Sequence, residues 1–316
     1  RLNILDTKLL RETFGFAENQ HSEVAQGRMM IGYDVLNGMI LHCDLGHLSI
    51  GEGTVVKGWM GEPSIARLKI YDRNFAGLSL QYLHDYQNIS YVTRCKIAHN
   101  NKVKEFVRSG EKEAIQEWKL NNKVIKELEA LGVEADLSKQ TSIKVRLIRI
   151  VLDNGEVEIL LTNLLDEQIY PHSCFQELYQ LRWGVETVIG FLKNVLQIEI
   201  SSGQSEQTIL QDFFASILRA NLQTMIEVDA QTLVEEKTKE RKHSYQINRN
   251  VVCGLLKNRL HMLVLNPVCE KYYLFLVKTI SEYVEPIRKN RNFPRNEKRS
   301  NIRGKYRTLN NYKRAI

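Results

Sequence analysis

The segment from Leu178 to Lys193 reads LYQLRWGVETVIGFLK, and it places four polar side chains in an otherwise apolar run: Tyr179, Arg182, Glu186 and Lys193. An α-helix turns about 100° per residue, so these four side chains fall within a stripe roughly 60° wide. The sequence therefore predicts one helix with a polar row beside a core-facing apolar stripe. That stripe comprises Leu181, Val185, Val188 and Leu192.

Two aspartates follow apolar runs earlier in the chain. LNILD closes at Asp6 and ARLKIYD closes at Asp72. Their leucine and β-branched residues, without helical periodicity, predict buried strands that end in a carboxylate. Together with Glu186 these aspartates make three carboxylates, which would repel one another unless divalent cations compensate them. Asp34 and Asp44 are alternatives to Asp6 as the first metal-binding aspartate, although the YDVLNG context of Asp34 is typical of a loop.

Three carboxylates of this kind suit two-metal phosphoryl transfer. Two Mg²⁺ or Mn²⁺ ions about 3.5 to 4 Å apart activate a water or a 3′ hydroxyl and stabilise the leaving oxygen. Arg182 and Lys193 beside such a site would hold phosphates, and Tyr179 would donate a hydrogen bond or stack. The alternative for Arg182 and Glu186 is an ordinary i,i+4 pair on a solvated helix face.

The rest of the sequence predicts a chain of mixed helices and strands. GMILHCDLG (38–46) and ISYVTRCK (89–96) are predicted strands, and FAGLSLQYLHDYQ (75–87) is a predicted helix. Two apolar segments flank Asp153-Asn154-Gly155 and predict a β-hairpin. Helices are also predicted over 111–132, 209–228, 248–265 and 269–283, with a polar hinge at 235–244.

Composition bounds the class of protein. With 43% hydrophobic and 26% charged residues, the 316-residue chain is typical of a globular protein. No apolar run reaches the roughly 20 residues that span a bilayer, and no leader opens the chain, so we expect a cytoplasmic protein without a membrane partner. The five cysteines form no C-x-x-C pair, which argues against a zinc site. Because the chain opens at Arg1, we expect its natural N-terminus to lie upstream.

The net charge of +7 is concentrated at the C-terminal end. From Pro286 to Ile316, eleven Lys and Arg residues stand against Glu297 alone, which leaves 33 basic and 36 acidic residues before that segment. Arginine and lysine interleaved with asparagine, Tyr306 and Tyr312 are suited to phosphate contact and base stacking. A disordered, solvated terminus is the alternative.

These motifs resemble a known family. Tyr179-x2-Arg182-x3-Glu186-x6-Lys193 is similar to the Y-R-E-K signature of bacterial DDE-type insertion-sequence transposases, the fourth insertion-sequence family. IYDRNFAG around Asp72 resembles the second-aspartate segment of that family, and LLTNL resembles the strand that leads towards its catalytic helix. ILDTKLLRETF, which contains Asp6, resembles the first-aspartate segment.

The resemblance implies an α/β fold: a ribonuclease-H-like mixed sheet flanked by helices, with a β-containing insertion between the second Asp and the catalytic Glu. It implies that Asp6, Asp72 and Glu186 are catalytic and bind two Mg²⁺ (or Mn²⁺) ions. By the same likeness, the remaining signature residues contact the terminal phosphates of the transposon end. The expected parts are the first part of the catalytic core (1–95), an insertion of mixed helix and β-hairpin (96–165), catalytic-core helices (166–230), and a C-terminal helical block with a basic DNA-binding tail (240–316).

Four further side chains are candidates for DNA contact: Arg73, Arg94, Lys96 and Trp183. Arg73 would orient the preceding aspartate or bind phosphate, with a surface salt bridge as the alternative. Arg94 and Lys96 would share one face of a strand. Trp183 would stack on a flipped base, or else pack in the core.

The function implied by the resemblance is metal-dependent cleavage of transposon ends and strand transfer into target DNA. The expected partners are transposon-end DNA, target DNA and a second copy of the chain in a synaptic homodimer, acting on nucleoid DNA in a prokaryotic cytoplasm. Two alternatives stay open. One is a catalytically silent DNA-binding relative, and the other is a metal-dependent DNA nuclease of the same fold.

Overall fold

The computed structural model describes residues 1–18, 23–60, 68–133, 141–152, 154–265 and 270–287. Packing divides the chain into two compact units. Arg1–Ser49 together with Val185–Ile316 forms the first, here called the split unit, and Ile50–Gly184 forms the second, called the inner unit. In the part of the chain described, no helix is both long and apolar enough to cross a membrane.

Helices and strands alternate along much of the chain. The described strands are β1 (Leu2–Asn3), β2 (Phe16–Glu18), β3 (Glu23–Asp34), β4 (Met39–Gly46), β5 (Leu68–Tyr71), β6 (Ser90–Cys95), β7 (Glu113–Lys119), β8 (Ser142–Val151), β9 (Val157–Thr162), β10 (Tyr245–Ile247) and β11 (Val284–Pro286). The described α-helices are α1 (Lys8–Phe14), α2 (Glu52–Trp59), α3 (Leu78–Tyr86), α4 (Asn101–Ser109), α5 (Asn122–Glu129), α6 (Cys174–Gln180), α7 (Trp183–Asn194), α8 (Glu206–Thr238), α9 (Arg249–Leu256), α10 (Leu260–Leu265) and α11 (Glu270–Ile280).

The sheet of the split unit is built around β3, which pairs antiparallel with β1, β2 and β4. The β3–β4 turn forms because the Asp34 carboxylate accepts backbone N–H bonds from Leu36 and Asn37 at 3.0 and 3.1 Å. Gly38 completes the turn with a φ of 69°, which few other residues adopt easily. The predicted strand at 38–46 is confirmed, and Asp34 lies where a strand enters a turn.

Apolar side chains join this sheet to the helices of the split unit. One core collects residues of β1, β3, β4, α1, α7 and the first half of α8, including Phe14, Leu192 and Phe213. A second core joins the later part of α8 to α9 and α11 through Ala230, Val252 and other buried side chains. A large apolar side chain contributes about 1.5–3 kcal/mol when fully buried, so the first core, which includes Val188, Phe191 and Leu192, holds α7 on the sheet.

The inner unit contains a mixed five-stranded sheet in the order β5–β6–β9–β8–β7. β5 and β6 are parallel, and the other neighbours are antiparallel. Helix α3 contacts β6, and helices α4 and α6 contact β8. A mixed sheet flanked by helices is confirmed, as are strands between Asp72 and Glu186. The predicted hairpin is confirmed too, because β8 and β9 pair up to Val151 and Val157.

The segment 111–132 is not one helix, so that prediction was wrong. Its first part forms β7, which pairs with β8 along its whole length, and only its second part forms α5. Trp118 is buried while its two chain neighbours are exposed, which is the alternation of a strand. A long-range partner therefore overrode a local composition that favours helix.

The segment Leu178–Lys193 is also not one helix. Helix α6 ends at Gln180 and α7 begins at Trp183, with a turn at the two residues between them. In that turn the Arg182 N–H donates to the Tyr179 carbonyl at 3.1 Å, a three-residue spacing that is tighter than the α-helical one. The polar row is therefore divided among α6, the turn and α7: Tyr179 lies on α6, Arg182 in the turn, and Glu186 and Lys193 on α7.

This interruption changes which side chains are buried. Val188 and Leu192 face the core as predicted. Leu181 lies in the turn and is 40% exposed, so its predicted burial was wrong. Tyr179 is only 6% exposed, and its ring packs in the core of the inner unit.

The C-terminal part follows the predicted helices with one correction. Helix α8 continues to Thr238, so the first residues of the predicted hinge at 235–244 are helical. Helices α9, α10 and α11 account for the predicted last helical block, and β10 pairs antiparallel with β11. The basic tail from residue 288 onward and Cys269 lie outside the described residues. The four described cysteines are free thiols.

Candidate functional site

Asp6 lies between β1 and α1, and its carboxylate is held by three hydrogen bonds. Its Oδ1 accepts from Arg11 Nε at 2.7 Å and from the Ala25 backbone N–H at 3.1 Å, while Oδ2 accepts from Arg11 Nη2 at 2.8 Å. The hydrogen bond from Arg11 is the largest influence, and it outweighs burial to lower the pKa of Asp6. Asp6 is therefore ionised at neutral pH, as an oxygen ligand for a divalent cation must be.

The rival aspartates differ in their surroundings. Asp34 uses both carboxylate oxygens in the β3–β4 turn, where Oδ2 also accepts from Asn37 Nδ2 at 2.6 Å. Burial alone would raise the pKa of Asp34, but the bonds from Asn37 and Leu36 outweigh it and lower that pKa. This carboxylate already has a structural role. Asp44 lies within β4, opposite Met30 in the sheet.

Glu186 and Lys193 both lie on α7 in the split unit. Glu186 is exposed in the first turn of that helix, where the helix dipole favours a negative charge. Lys193 Nζ donates to the Arg1 carbonyl at 2.8 Å and to Glu199 Oε1 at 2.9 Å. Since Glu199 Oε1 also accepts from the Asn3 N–H at 3.0 Å, the end of α7 is fastened to β1, three residues before Asp6.

Asp72 immediately follows β5 in the inner unit. Its Oδ1 accepts from the Asn74 N–H at 2.8 Å and so caps a short 3₁₀ turn formed by Arg73–Phe75. Within the described ranges, no hydrogen bond reaches its Oδ2. Arg73 itself is exposed.

The charges of four side chains of the inner unit act on Tyr179. Burial is the main reason why the pKa of Tyr179 is raised. The positive charges of Arg182 and Arg94 lower this pKa, and the negative charges of Glu158 and Asp72 raise it further. The inner unit therefore brings Tyr179 and Arg182 of the signature near the second aspartate.

Arg94 reaches this cluster because β5 and β6 are parallel. Tyr71 of β5 pairs with Thr93 of β6, so Asp72, which directly follows β5, comes next to Arg94 near the end of β6. Arg94 Nη1 also forms an ion pair with Glu158 Oε1 at 2.9 Å. Lys96 is exposed and lies just beyond the end of β6, so it does not share a strand face with Arg94.

Trp183 is 50% exposed, and its ring packs against the signature arginine. The Cζ atom of Arg182 lies 4.6 Å from the centroid of the Trp183 ring and 5.7 Å from that of Tyr179. Two aromatic rings thus hold the guanidinium, which keeps its planar set of donors in one orientation.

Sequence reasoning missed three residues of these surroundings: Arg11, Glu158 and Arg146. Arg146 is fully buried in the inner unit. It pairs with Glu113 at 2.5 Å and donates to the carbonyls of Leu164 and Tyr170 at 3.1 and 2.8 Å. Its guanidinium also lies over the ring of Phe175, one turn before Tyr179 on α6. Arg146 therefore fixes the segment that leads into α6.

The candidate metal ligands are divided between the units. Asp6 and Glu186 lie in the split unit and Asp72 lies in the inner unit. Across the described residues, no group of three or more His, Cys, Asp or Glu side chains is close enough to hold a metal ion. The donor type nevertheless fits, because the three candidates offer the carboxylate oxygens that Mg²⁺ and Mn²⁺ prefer.

Comparison with known proteins identifies the family. The family described as "Transposase DDE domain" matches residues 4–222. No match was found among curated proteins. Among solved structures, the cryo-EM structure of a piggyBac transposase synaptic complex with hairpin DNA is similar, with a TM-score of 0.45 and 10% sequence identity over 89% of this chain and 55% of that chain. The chain thus spans about half the length of that transposase. Because the family match covers 219 of its 316 residues, the chain belongs to the family of transposase DDE domains.

Proposed function

We propose that the chain is a DNA transposase with the Y-R-E-K signature, which cleaves transposon ends and transfers them into target DNA by a cut-and-paste reaction. The observation that carries this proposal is the family match, because residues 4–222 include every candidate residue from Asp6 to Lys193. The inner unit supports it with a cluster of the kind that phosphate transfer needs: a strand-end carboxylate, a tyrosine and two arginines.

In this proposal Asp6, Asp72 and Glu186 hold two Mg²⁺ or Mn²⁺ ions. When bound, such ions supply activation of the attacking oxygen and stabilisation of the leaving oxygen. Asp6 is kept ionised and fixed to β3 through the Ala25 N–H. Asp72 keeps one carboxylate oxygen on its own turn, which orients the other. Glu186 lies on a helix held by the core of the split unit, so its backbone position is well defined.

The DNA contacts in this proposal come from side chains around these carboxylates. Arg182 offers the donors of its guanidinium to a phosphate, while Trp183 and Tyr179 keep it in place. Trp183 is exposed enough to stack on a base as well. Arg94 would exchange part of its ion pair with Glu158 for a phosphate.

Three other basic side chains would add less specific contacts. Arg73 and Lys96 are exposed and can reach phosphates as simple positive charges. Lys193 would exchange its bond to Glu199 for a phosphate of the transposon end. The basic tail would add sequence-independent affinity.

The proposed assembly is a homodimer that brings two transposon ends together on nucleoid DNA in a prokaryotic cytoplasm. The parts proposed from the sequence, with core segments at 1–95 and 166–230 around an insertion at 96–165 and a C-terminal part at 240–316, belong to the same proposal. They account for the strands that lie between Asp72 and Glu186.

The test uses the full chain, Mg²⁺, and DNA that carries the inverted repeats flanking its coding region, with a plasmid as target. We expect cleavage at the repeat ends followed by joining of those ends to the plasmid. Cleavage without any joined product would instead identify a nuclease. Tight binding without cleavage, in Mg²⁺ and in Mn²⁺, would identify a silent DNA-binding relative.

A further inference from the structure

Arg11 makes an extensive side-chain contact with the candidate metal ligand Asp6. Its Nε and Nη2 atoms donate to the two different oxygens of Asp6, at 2.7 and 2.8 Å. Its Nη1 atom donates to Glu23 Oε2 at 2.6 Å. One guanidinium on α1 therefore bridges two carboxylates, one at the candidate site and one at the start of β3.

The lone pairs of Asp6 show why this contact matters. A carboxylate has about four lone-pair positions for acceptance. On Asp6, Arg11 takes two of these positions and the Ala25 N–H takes a third. A divalent cation that binds both oxygens must therefore displace at least one bond from Arg11, whereas a cation on Oδ2 alone would still find one position open.

The positive charge of Arg11 acts in the same direction as this steric competition. Arg11 neutralises the carboxylate whose negative charge would attract the metal, and like charges in contact repel each other. The side chains of Arg11 and Asp6 are 32% and 38% exposed, so a cation from solvent can reach the pair.

We infer that Arg11 is a positioning residue that occupies Asp6 in the metal-free protein and moves towards Glu23 when a divalent cation binds. This inference rests on the proposed role of Asp6 as a metal ligand. Glu23 makes the movement inexpensive, because Arg11 already bonds its carboxylate and keeps an ionic partner after releasing Asp6. Arg11 thus weakens metal binding until the site is otherwise complete.

The expected effect is modest, because exposed ion pairs are individually weak. Bidentate geometry places this pair towards the strong end of their range. Removal of Arg11 should therefore tighten binding of Mn²⁺ by roughly three- to tenfold. Replacement of Glu23 by glutamine should act in the opposite direction, because Arg11 would lose its second charged partner and stay on Asp6.

The experiment measures Mn²⁺ binding to the full chain without DNA, by the electron paramagnetic resonance signal of free Mn²⁺. The variants are Arg11→Gln, Glu23→Gln and Asp6→Asn, with Arg108→Gln as the matched control, since Arg108 is an exposed arginine in the last turn of another helix. We expect tighter binding for Arg11→Gln, weaker binding for Glu23→Gln and Asp6→Asn, and no change for the control. Arg11→Lys, which keeps the charge, should bind nearly as the wild type does.

Two failures can be told apart. If Asp6→Asn weakens Mn²⁺ binding but Arg11→Gln leaves it unchanged or weaker, the inference about Arg11 is wrong and the metal site stands. If Asp6→Asn and Glu186→Gln both leave Mn²⁺ binding unchanged, the proposed metal site itself is wrong. Should Arg11→Gln fail to fold, Glu23→Gln carries the test alone, and binding as tight as that of the wild type would then overturn the inference.

Discussion

The guanidinium of Arg182 lies over the indole ring of Trp183, with 4.6 Å between Cζ and the ring centroid, in the turn that separates α6 from α7. A guanidinium held in this way is already oriented, so it loses less side-chain entropy when it forms further hydrogen bonds. The pair thus offers a fixed donor surface beside an exposed aromatic face.

From this pair we predict that Trp183→Ala weakens binding of transposon-end DNA by about tenfold, within the range of about 1–3 kcal/mol for loss of one base-stacking side chain. Trp183→Phe keeps an aromatic face and should lose much less. Fluorescence anisotropy with labelled DNA measures both affinities. Equal affinities for the alanine variant and the wild type would show that Trp183 does not contact DNA.

Arg146 should dominate the stability of the inner unit among its charged residues. Arg146→Met leaves Glu113 without its buried partner and removes two bonds to carbonyls, so we expect a loss of about 3–5 kcal/mol in unfolding free energy. Adding Glu113→Met should restore part of this loss, because no unpaired charge then remains. Urea unfolding measures both effects. If Arg146→Met lost less than about 1 kcal/mol of unfolding free energy, Arg146 would not dominate the stability of the inner unit.

The role of Arg146 could not be recognised from the sequence, whereas several secondary-structure elements could. The strands before Asp72 and at 38–46 and the hairpin of β8 with β9 were predictable because apolar content and turn residues are local signals. Arg146 looks like any exposed residue of an alternating strand. Its burial depends on Glu113 and on carbonyls 18 and 24 residues away.

In the candidate site, too, features set by nearby sequence were predictable and features set by distant partners were not. The spacing of the signature residues predicted that they share one stripe of a single helix. The turn between Gln180 and Trp183 instead divides them among two helices and that turn. β7 was mistaken for a helix because its strand character comes from pairing with β8. Arg11 reaches Asp6 only because Thr7, between them, caps α1, and because β3 brings Glu23 alongside.

His84 should make the protein sensitive to acid. It is buried between Tyr71 and Tyr91, and burial, aided by the charge of Lys69, lowers its pKa to about 3 from 6.5. The unfolded chain protonates this imidazole at a higher pH than the folded protein does. The contribution of neutral His84 to the free energy of unfolding is therefore complete above pH 6.5 and is lost as the pH falls towards 3.

Between pH 7.5 and pH 5, this group alone should cost about 2 kcal/mol of unfolding free energy, at about 1.4 kcal/mol per unit below the unfolded pKa. His84→Gln should remove that share of the pH dependence, and His243→Gln, at an exposed position, should leave it unchanged. Urea unfolding at both pH values supplies the measurement. Parallel pH profiles for His84→Gln and the wild type would show that His84 is not the titrating group.

The basic tail should contribute affinity for DNA that depends on salt. Pro286 belongs to β11 and pairs with Tyr245 of β10, so a clean deletion begins at residue 288 and still removes all eleven basic residues of the tail. We predict weaker DNA binding and a shallower dependence of log affinity on log salt concentration, by about 0.9 for each phosphate that the tail neutralises in the intact protein. An unchanged slope would show that the tail does not touch DNA.

The central claim is that Asp6, Asp72 and Glu186 bind the metal ions of DNA cleavage. The most direct test is the cleavage rate of transposon-end DNA in Mg²⁺ for Glu186→Gln against Glu206→Gln. The two glutamates are both exposed in the first turn of a helix in the split unit, and only the first belongs to the signature. The account predicts that Glu186→Gln binds the DNA but cleaves it at least about a hundredfold more slowly, a loss of about 2.7 kcal/mol or more in transition-state stabilisation, while Glu206→Gln cleaves at the wild-type rate. Wild-type cleavage by Glu186→Gln would contradict it.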